Sequence, residues 1–218
     1  MTDAPVVIDD VVHDLDGSTV HVRLGVDAVE LRLNALGSVA VETAVEHLTS
    51  LVAASVPLTQ AATTVQEASS DVPGHTARRR LANGALVLDD TASRTALEVR
   101  ASLRVLADVT RGRARSFAVL GELESEPADW FDDHDALGRI IVRLDVSQLV
   151  VVGHGARHIH NAAGLEGSWD GESILVDTLE QAYDVVRAQV NEGDVVLVSA
   201  ASRTPLAQLV ERLLEADR

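Results

Sequence analysis

The pair Asp89-Asp90 closes an apolar run, Ala85-Leu86-Val87-Leu88, and Arg94 follows four positions later. Two carboxylates at a strand end can bind ribose hydroxyls or a metal-bound phosphate, and a guanidinium beside them can grip phosphate oxygens in a bidentate fashion. The plainer alternative is a solvated turn that caps the next helix, with Arg94 on the surface. Farther on, Asp129-Trp130-Phe131-Asp132-Asp133-His134-Asp135 sets two of the five aromatic residues among four carboxylates. It reads as a helix start, with acidic residues favoured by the helix dipole and the aromatics packed on the domain. Gly153-His154-Gly155 is half of a dinucleotide-binding fingerprint, with His158 where the third glycine would stand. His154 and His158 have the spacing of metal ligands on one helix face, with His160 close by. No cysteine or nearby carboxylate completes a set, so no metal site is expected.

Composition removes several chemistries outright. All 18 basic residues are arginine, so P-loop lysines, Schiff bases and carbamylated lysines are excluded. With no cysteine there is neither a thiol nucleophile nor a disulfide framework, as suits a reducing compartment. A serine hydrolase would lack its Gly-x-Ser-x-Gly elbow. A net charge of -16 repels phosphate backbones, so nucleic acid is not an expected partner. No apolar stretch approaches the roughly 20 residues of a membrane span, and the first residues lack a secretory signal, so a cytoplasmic location is expected.

The elements that must position these residues follow from hydrophobic patterning. Five runs, at residues 85–90, 116–122, 149–153, 173–177 and 194–199, are apolar at consecutive positions and stop at glycine, serine or an acidic residue. Such runs suit strands covered on both faces, as in a parallel sheet flanked by helices. Helical spacing occupies residues 95–109, 134–144, 156–163, 179–190 and 205–215 between and after them. The expected fold is therefore α/β, with a Rossmann-like, mostly parallel sheet whose ligands sit beyond the carboxyl ends of the strands. Ahead of it, alternating segments at residues 6–8, 19–24 and 29–33 predict a small antiparallel sheet. Helices are expected over residues 38–55, with Ser38 as cap and Glu42 in the first turn, and over residues 58–69. Residues 69–74 and the triplet Arg78-Arg79-Arg80 read as a linker between two domains, 1–75 and 76–218.

The ordered series Pro73-Gly74, Asn83-Gly84-Ala85-Leu86-Val87-Leu88-Asp89-Asp90, Leu120-Gly121-Glu122-Leu123, His134-Asp135-Ala136-Leu137-Gly138, Val151-Val152-Gly153-His154-Gly155 and Gly193-Asp194-Val195-Val196 resembles the Mur ligases, in particular the dipeptide-adding branch of that family. The resemblance implies the tail of the family's central ATPase domain in residues 1–75 and its C-terminal Rossmann-like domain in residues 76–218. It implies nucleotide contacts at Asp89, Asp90 and Arg94, and substrate contacts at Gly121, Glu122, His134, Ser202 and Arg203.

Several family positions are changed. The family's Asp-Asp-x-Tyr-Asn-Ala-Asn-Pro is here Asp89-Asp90-Thr91-Ala92-Ser93-Arg94-Thr95-Ala96. Its Gly-x-His-x-x-x-Asn is Gly37-Ser38-Val39-Ala40-Val41-Glu42-Thr43, and its Val-Lys-Gly-Ser-Arg is Val198-Ser199-Ala200-Ala201-Ser202-Arg203. No P-loop or UDP-sugar domain occurs in these 218 residues. The expected function is thus that of a C-terminal half of a peptidoglycan-precursor ligase, inactive alone and free of cofactor. ATP and Mg would enter only with a separately encoded ATPase and UDP-sugar-binding half. The competing expectation is a non-catalytic module that binds a nucleotide, a wall precursor or a cell-wall synthesis protein.

Overall fold

The computed structural model describes residues 6–166, 169–199 and 203–215, and the chain divides into two units, Met1–Val72 and Pro73–Arg218. In the first unit, β1 (Val6–Asp14), β2 (Gly17–Leu24) and β3 (Asp27–Leu33) pair antiparallel in that order. Alternation sets the buried face: Val20, Val22, Leu31 and Leu33 point to the core, while Arg23, Glu30 and Arg32 stay in water. α1 (Ser38–Ala53) and α2 (Leu58–Ala68) cover that face with Val41, Ala44, Leu48, Ala61, Ala62 and Val65. Ser38 does not cap α1. The N-cap is Gly37, with no side-chain cap bond, because the helix starts at Ser38 itself, which leaves Glu42 beyond the first turn.

The second unit holds a six-stranded sheet in the order β4-β5-β9-β6-β7-β8. Its parallel strands are β5 (Leu86–Asp90), β6 (Ser116–Leu120), β7 (Gln148–Val152), β8 (Glu172–Val176) and β9 (Val195–Ser199), one for each apolar run. β6, β7 and β9 are buried along their whole length. Val87, Val119, Val150, Val196 and Val198 on one face form a core with α6 (Leu179–Gln189) and α7 (Leu206–Glu215). Residues of the other parity, such as Leu88, Ala118, Val151 and Leu197, face the layer of α3 (Ala96–Thr110), α4 (Trp130–Arg143) and α5 (Arg157–Leu165). α4 and α5 meet closely at Gly138, where a β-carbon would lie 2.4 Å from the carbonyl oxygen of Ile159.

Three expectations need correction. The arginine triplet is not linker but β4 (Ala77–Arg80), an edge strand antiparallel to β5, with Arg80 opposite Leu86. An edge strand needs only one partner and benefits from charged side chains that discourage further pairing, so an arginine-rich sequence suits it. β8 is not covered on both faces. Having β7 as its only strand neighbour, it leaves Glu172 and Leu175 exposed. α4 begins at Trp130, four residues ahead of the expected start, so His134 lies one turn inside it. No helix among the described residues is long and apolar enough to cross a membrane.

Candidate functional site

β9 lies between β5 and β6, yet its chain leaves towards α7 on one face while both neighbours lead to helices on the other. Such a reversal opens a crevice at the carboxyl ends of the strands. The backbone N–H of Gly121 donates to the carbonyl of Ser199 at 3.3 Å, holding the ends of β6 and β9 together.

On the β5 side the polar groups are consumed internally. Asp90 is 1% exposed. Its Oδ1 accepts from the Thr76 backbone N–H at 3.2 Å and the Ser93 hydroxyl at 3.0 Å, and its Oδ2 accepts from the Ser199 hydroxyl at 2.6 Å. Burial outweighs these bonds and a further one from Ser102, and pushes its carboxyl up to about 6. Asp89 accepts from the Thr91 hydroxyl at 2.7 Å. Neither aspartate caps α3. Thr95 does, in a capping box with Glu98, whose Oε2 accepts from the backbone N–H groups of Arg94 and Thr95 and from the Thr95 hydroxyl. Against the cost of its own partial burial, these donors hold the Glu98 carboxyl below its ordinary value. Two amides just ahead of this helix, those of Arg94 and Thr95, thus already serve a carboxylate, and the Glu98 N–H serves the Thr95 hydroxyl. Asp90 is enclosed by hydrogen-bond donors, and no group of three metal-ligating side chains occurs among the described residues.

On the β6 side the exposure is mixed: Arg94 and Arg203 face solvent, while the Glu122 side chain is 18% exposed. Arg94, Glu122, Leu123, Glu124, Ser125, Trp130 and Arg203 line a concavity of about 190 Å³. The Glu122 carboxylate lies over Gly155. A β-carbon there would sit 2.2 Å from Glu122 Oε2, so only glycine admits this placement. The Arg203 guanidinium stands 3.7 Å from Glu122 Oε1 and is 78% exposed. The Arg94 carbonyl accepts from the Glu124 N–H at 2.8 Å and joins the two loops. The Ser125 hydroxyl oxygen is buried without a partner.

His134 is wholly buried behind this wall. Its Nε2 accepts from the Leu123 N–H at 3.1 Å, which requires the Nδ1–H tautomer, and Nδ1 then donates to the Trp130 carbonyl at 2.6 Å. Burial lowers its pKa against the opposing effects of the Trp130 carbonyl, Glu122 and Asp133. With both nitrogens occupied, His134 shapes the 121–125 loop from behind. The other histidines diverge. His154 is exposed in the 3-10 turn after β7, His158 packs edge-on to Trp130 and Phe131, and His160 pairs with the Ser173 hydroxyl at 2.7 Å.

Of the residues singled out in the sequence, the crevice brings together Arg94, Gly121, Glu122 and Arg203, with Asp89, Asp90 and His134 behind its walls. Ser202 lies outside the described residues. Sequence reasoning missed Gly155 and Trp130 as parts of the cleft, and Ser93, Ser102 and Ser199 as partners of Asp90. The Gly153-His154-Gly155 pattern that starts at the end of the 149–153 run was the available signal for Gly155.

A family model described as "Mur ligase, glutamate ligase domain" matches residues 76–202. The chain is 39% identical over 146 residues to a UDP-N-acetylmuramoyl-tripeptide--D-alanyl-D-alanine ligase of Mycobacterium leprae, covering 61% of this chain and 28% of that protein. Its Mycobacterium tuberculosis counterpart is 36% identical over 151 residues, covering 62% and 30%. The chain thus spans less than a third of the length of these curated relatives. Among solved structures, MurF from Acinetobacter baumannii superposes with a TM-score of 0.77 at 20% identity, covering 96% of this chain and 45% of that one. MurF ligase from Thermotoga maritima, in complex with ADP, gives 0.78 at 18% identity, covering 98% and 47%. At such identities the structural likeness speaks for the fold.

Proposed function

The chain belongs to the Mur ligase family, and from that membership we propose that its second unit holds the amine-bearing substrate of a peptidoglycan-precursor ligase, a zwitterionic dipeptide of the D-alanyl-D-alanine kind. The observation that carries this reading is the pairing of opposite charges in one small cleft: Glu122, whose carboxylate lies over Gly155, faces Arg203, with Arg94 on the same lining. A carboxylate there can accept from an ammonium group while a guanidinium takes the peptide carboxylate in bidentate form. Holding the amine at a fixed place is the contribution such a domain can make to ligation. Activation of the acceptor carboxylate falls to an ATPase and UDP-sugar-binding half, and the reaction belongs to the cytoplasm.

Calorimetry with D-alanyl-D-alanine, its N-acetyl derivative and its C-terminal amide tests the reading. Only the zwitterion should bind well, and Glu122→Gln and Arg203→Ala should each weaken it at least about tenfold, the effect of losing one charged hydrogen bond. Equal binding of the blocked peptides, or no binding of any, defeats it. A second reading, a non-catalytic module docking to a cell-wall synthesis protein, is favoured by the self-contained β5 side, where Asp90 is buried and Glu98 takes the Arg94 and Thr95 amides. Restoration of ligation by a separately supplied ATPase half would decide for the first.

A further inference from the structure

Resting on that reading, we propose that Trp130 is the specificity wall of the cleft, admitting a zwitterion with small side chains and rejecting one with branched or aromatic side chains. The cleft, at about 190 Å³, lies below the roughly 300 Å³ at which sites for drug-sized ligands begin. Two of its lining residues are apolar, Leu123 and Trp130, and five are polar or charged. A ligand side chain that avoids the polar groups therefore meets the indole.

A wall selects by size only if it cannot swing aside, and Trp130 is pinned. Its backbone carbonyl accepts from His134 Nδ1 at 2.6 Å, which anchors the main chain, and the contacts of the ring itself hold the indole. Its ring lies 4.7 Å from the His134 ring, tilted by 40°, and 5.0 Å from His158 in an edge-on contact. The Arg157 guanidinium carbon stands 6.0 Å from the indole centroid. Rotating the ring to admit a larger group would break several of these contacts together, so extra methylenes meet an unyielding surface.

The test is titration of the full chain with D-alanyl-D-alanine and D-alanyl-D-leucine, in the wild type, Trp130→Phe and Trp130→Ala, with circular dichroism and melting curves as folding controls. The wild type should prefer the alanine peptide by at least about tenfold, as for a pocket that rejects a few methylenes. Trp130→Ala should bring that preference below about threefold, while Trp130→Phe keeps most of it. Ligand should also quench a fluorescence component that Trp130→Phe lacks, a signal that a purely structural tryptophan would not give. A folded Trp130→Ala chain with unchanged preference overturns the assignment while leaving the dipeptide reading intact. Failure of the wild type to bind either peptide overturns both.

Discussion

Two loops leave the same edge of the same sheet, residues 91–95 after β5 and residues 121–129 after β6, and they direct their polar groups in opposite ways. In the first, the side chains of Asp90 and Ser93 and the amides before Glu98 are satisfied within the chain. In the second, Glu122 and Arg203 meet at 3.7 Å with room between them and solvent, and the Ser125 hydroxyl oxygen has no partner. Both loops occupy the position where this class of fold places ligands. The difference shows that topology nominates a site, whereas hydrogen-bond accounting tells whether it is closed architecture or an open receptor. On the β5 side, Glu98 reaches back to the Arg94 and Thr95 amides and closes the loop on itself. On the β6 side, the absence of a side chain at Gly155 makes room for the Glu122 carboxylate beside the exposed Arg203.

The contrast is broken most sharply at Asp90. At pH 5, Asp90→Ala removes the acceptor of the buried Ser93 and Ser199 hydroxyls, and at 1–3 kcal/mol for each stranded buried group the loss should reach about 4 kcal/mol in urea unfolding. A loss under about 1 kcal/mol would mean that the β5 side is not the closed structure described here. Next in size is the pH dependence. The native carboxyl titrates at about 6 against a reference of 3.8, so between these values the folded chain keeps a proton that the unfolded chain has released. Stability relative to Asp90→Asn should therefore be highest below about pH 4 and decline as pH rises, reaching its floor above about pH 6. The full change is about two pH units at 1.36 kcal/mol each, or roughly 3 kcal/mol. Parallel pH profiles of the two proteins would reveal a mistaken environment for Asp90.

Smaller still, Thr95→Ala removes the cap of α3 and should cost about 1 kcal/mol in the same unfolding assay. Smallest in stability is Arg203→Ala, expected to shift it by less than about 0.5 kcal/mol because the guanidinium is largely exposed. The same substitution should nonetheless weaken D-alanyl-D-alanine binding at least about tenfold, as calorimetry would show. If Arg203 weighed on folding and not on binding, the two sides of the crevice would not differ as described.

How far the sequence could be read depends on whether a feature is written locally. Four of the five parallel strands were visible because a strand buried on both faces must be apolar at successive positions, a constraint on neighbours in the chain, whereas β8 carries an apolar run although Glu172 and Leu175 are exposed. The acidic first turn of α4 was visible for a similar reason, since Asp132 and Asp133 answer the dipole of their own helix. β4 was hidden because three arginines look like a linker, and pairing with β5 alone makes them a strand. The cleft was half visible: Glu122 and Arg203 stood out by resemblance, whereas Gly155 and Trp130 acquire meaning only once α5 and α4 bring them beside Glu122 and the cleft.

By itself, then, the sequence determined the α/β class, the succession of strands and helices and the chemistries ruled out by an absence of lysine and cysteine, because period and composition act over a few residues. Only the tertiary structure decided that the last strand, β9, inserts between β5 and β6, and so brought Ser199 to Asp90 across 109 positions. That insertion turns one loop into a buried polar network and leaves the other facing solvent. Which groups are desolvated and which stay available depends on what packs against them, and that is settled by contacts between residues remote in the chain.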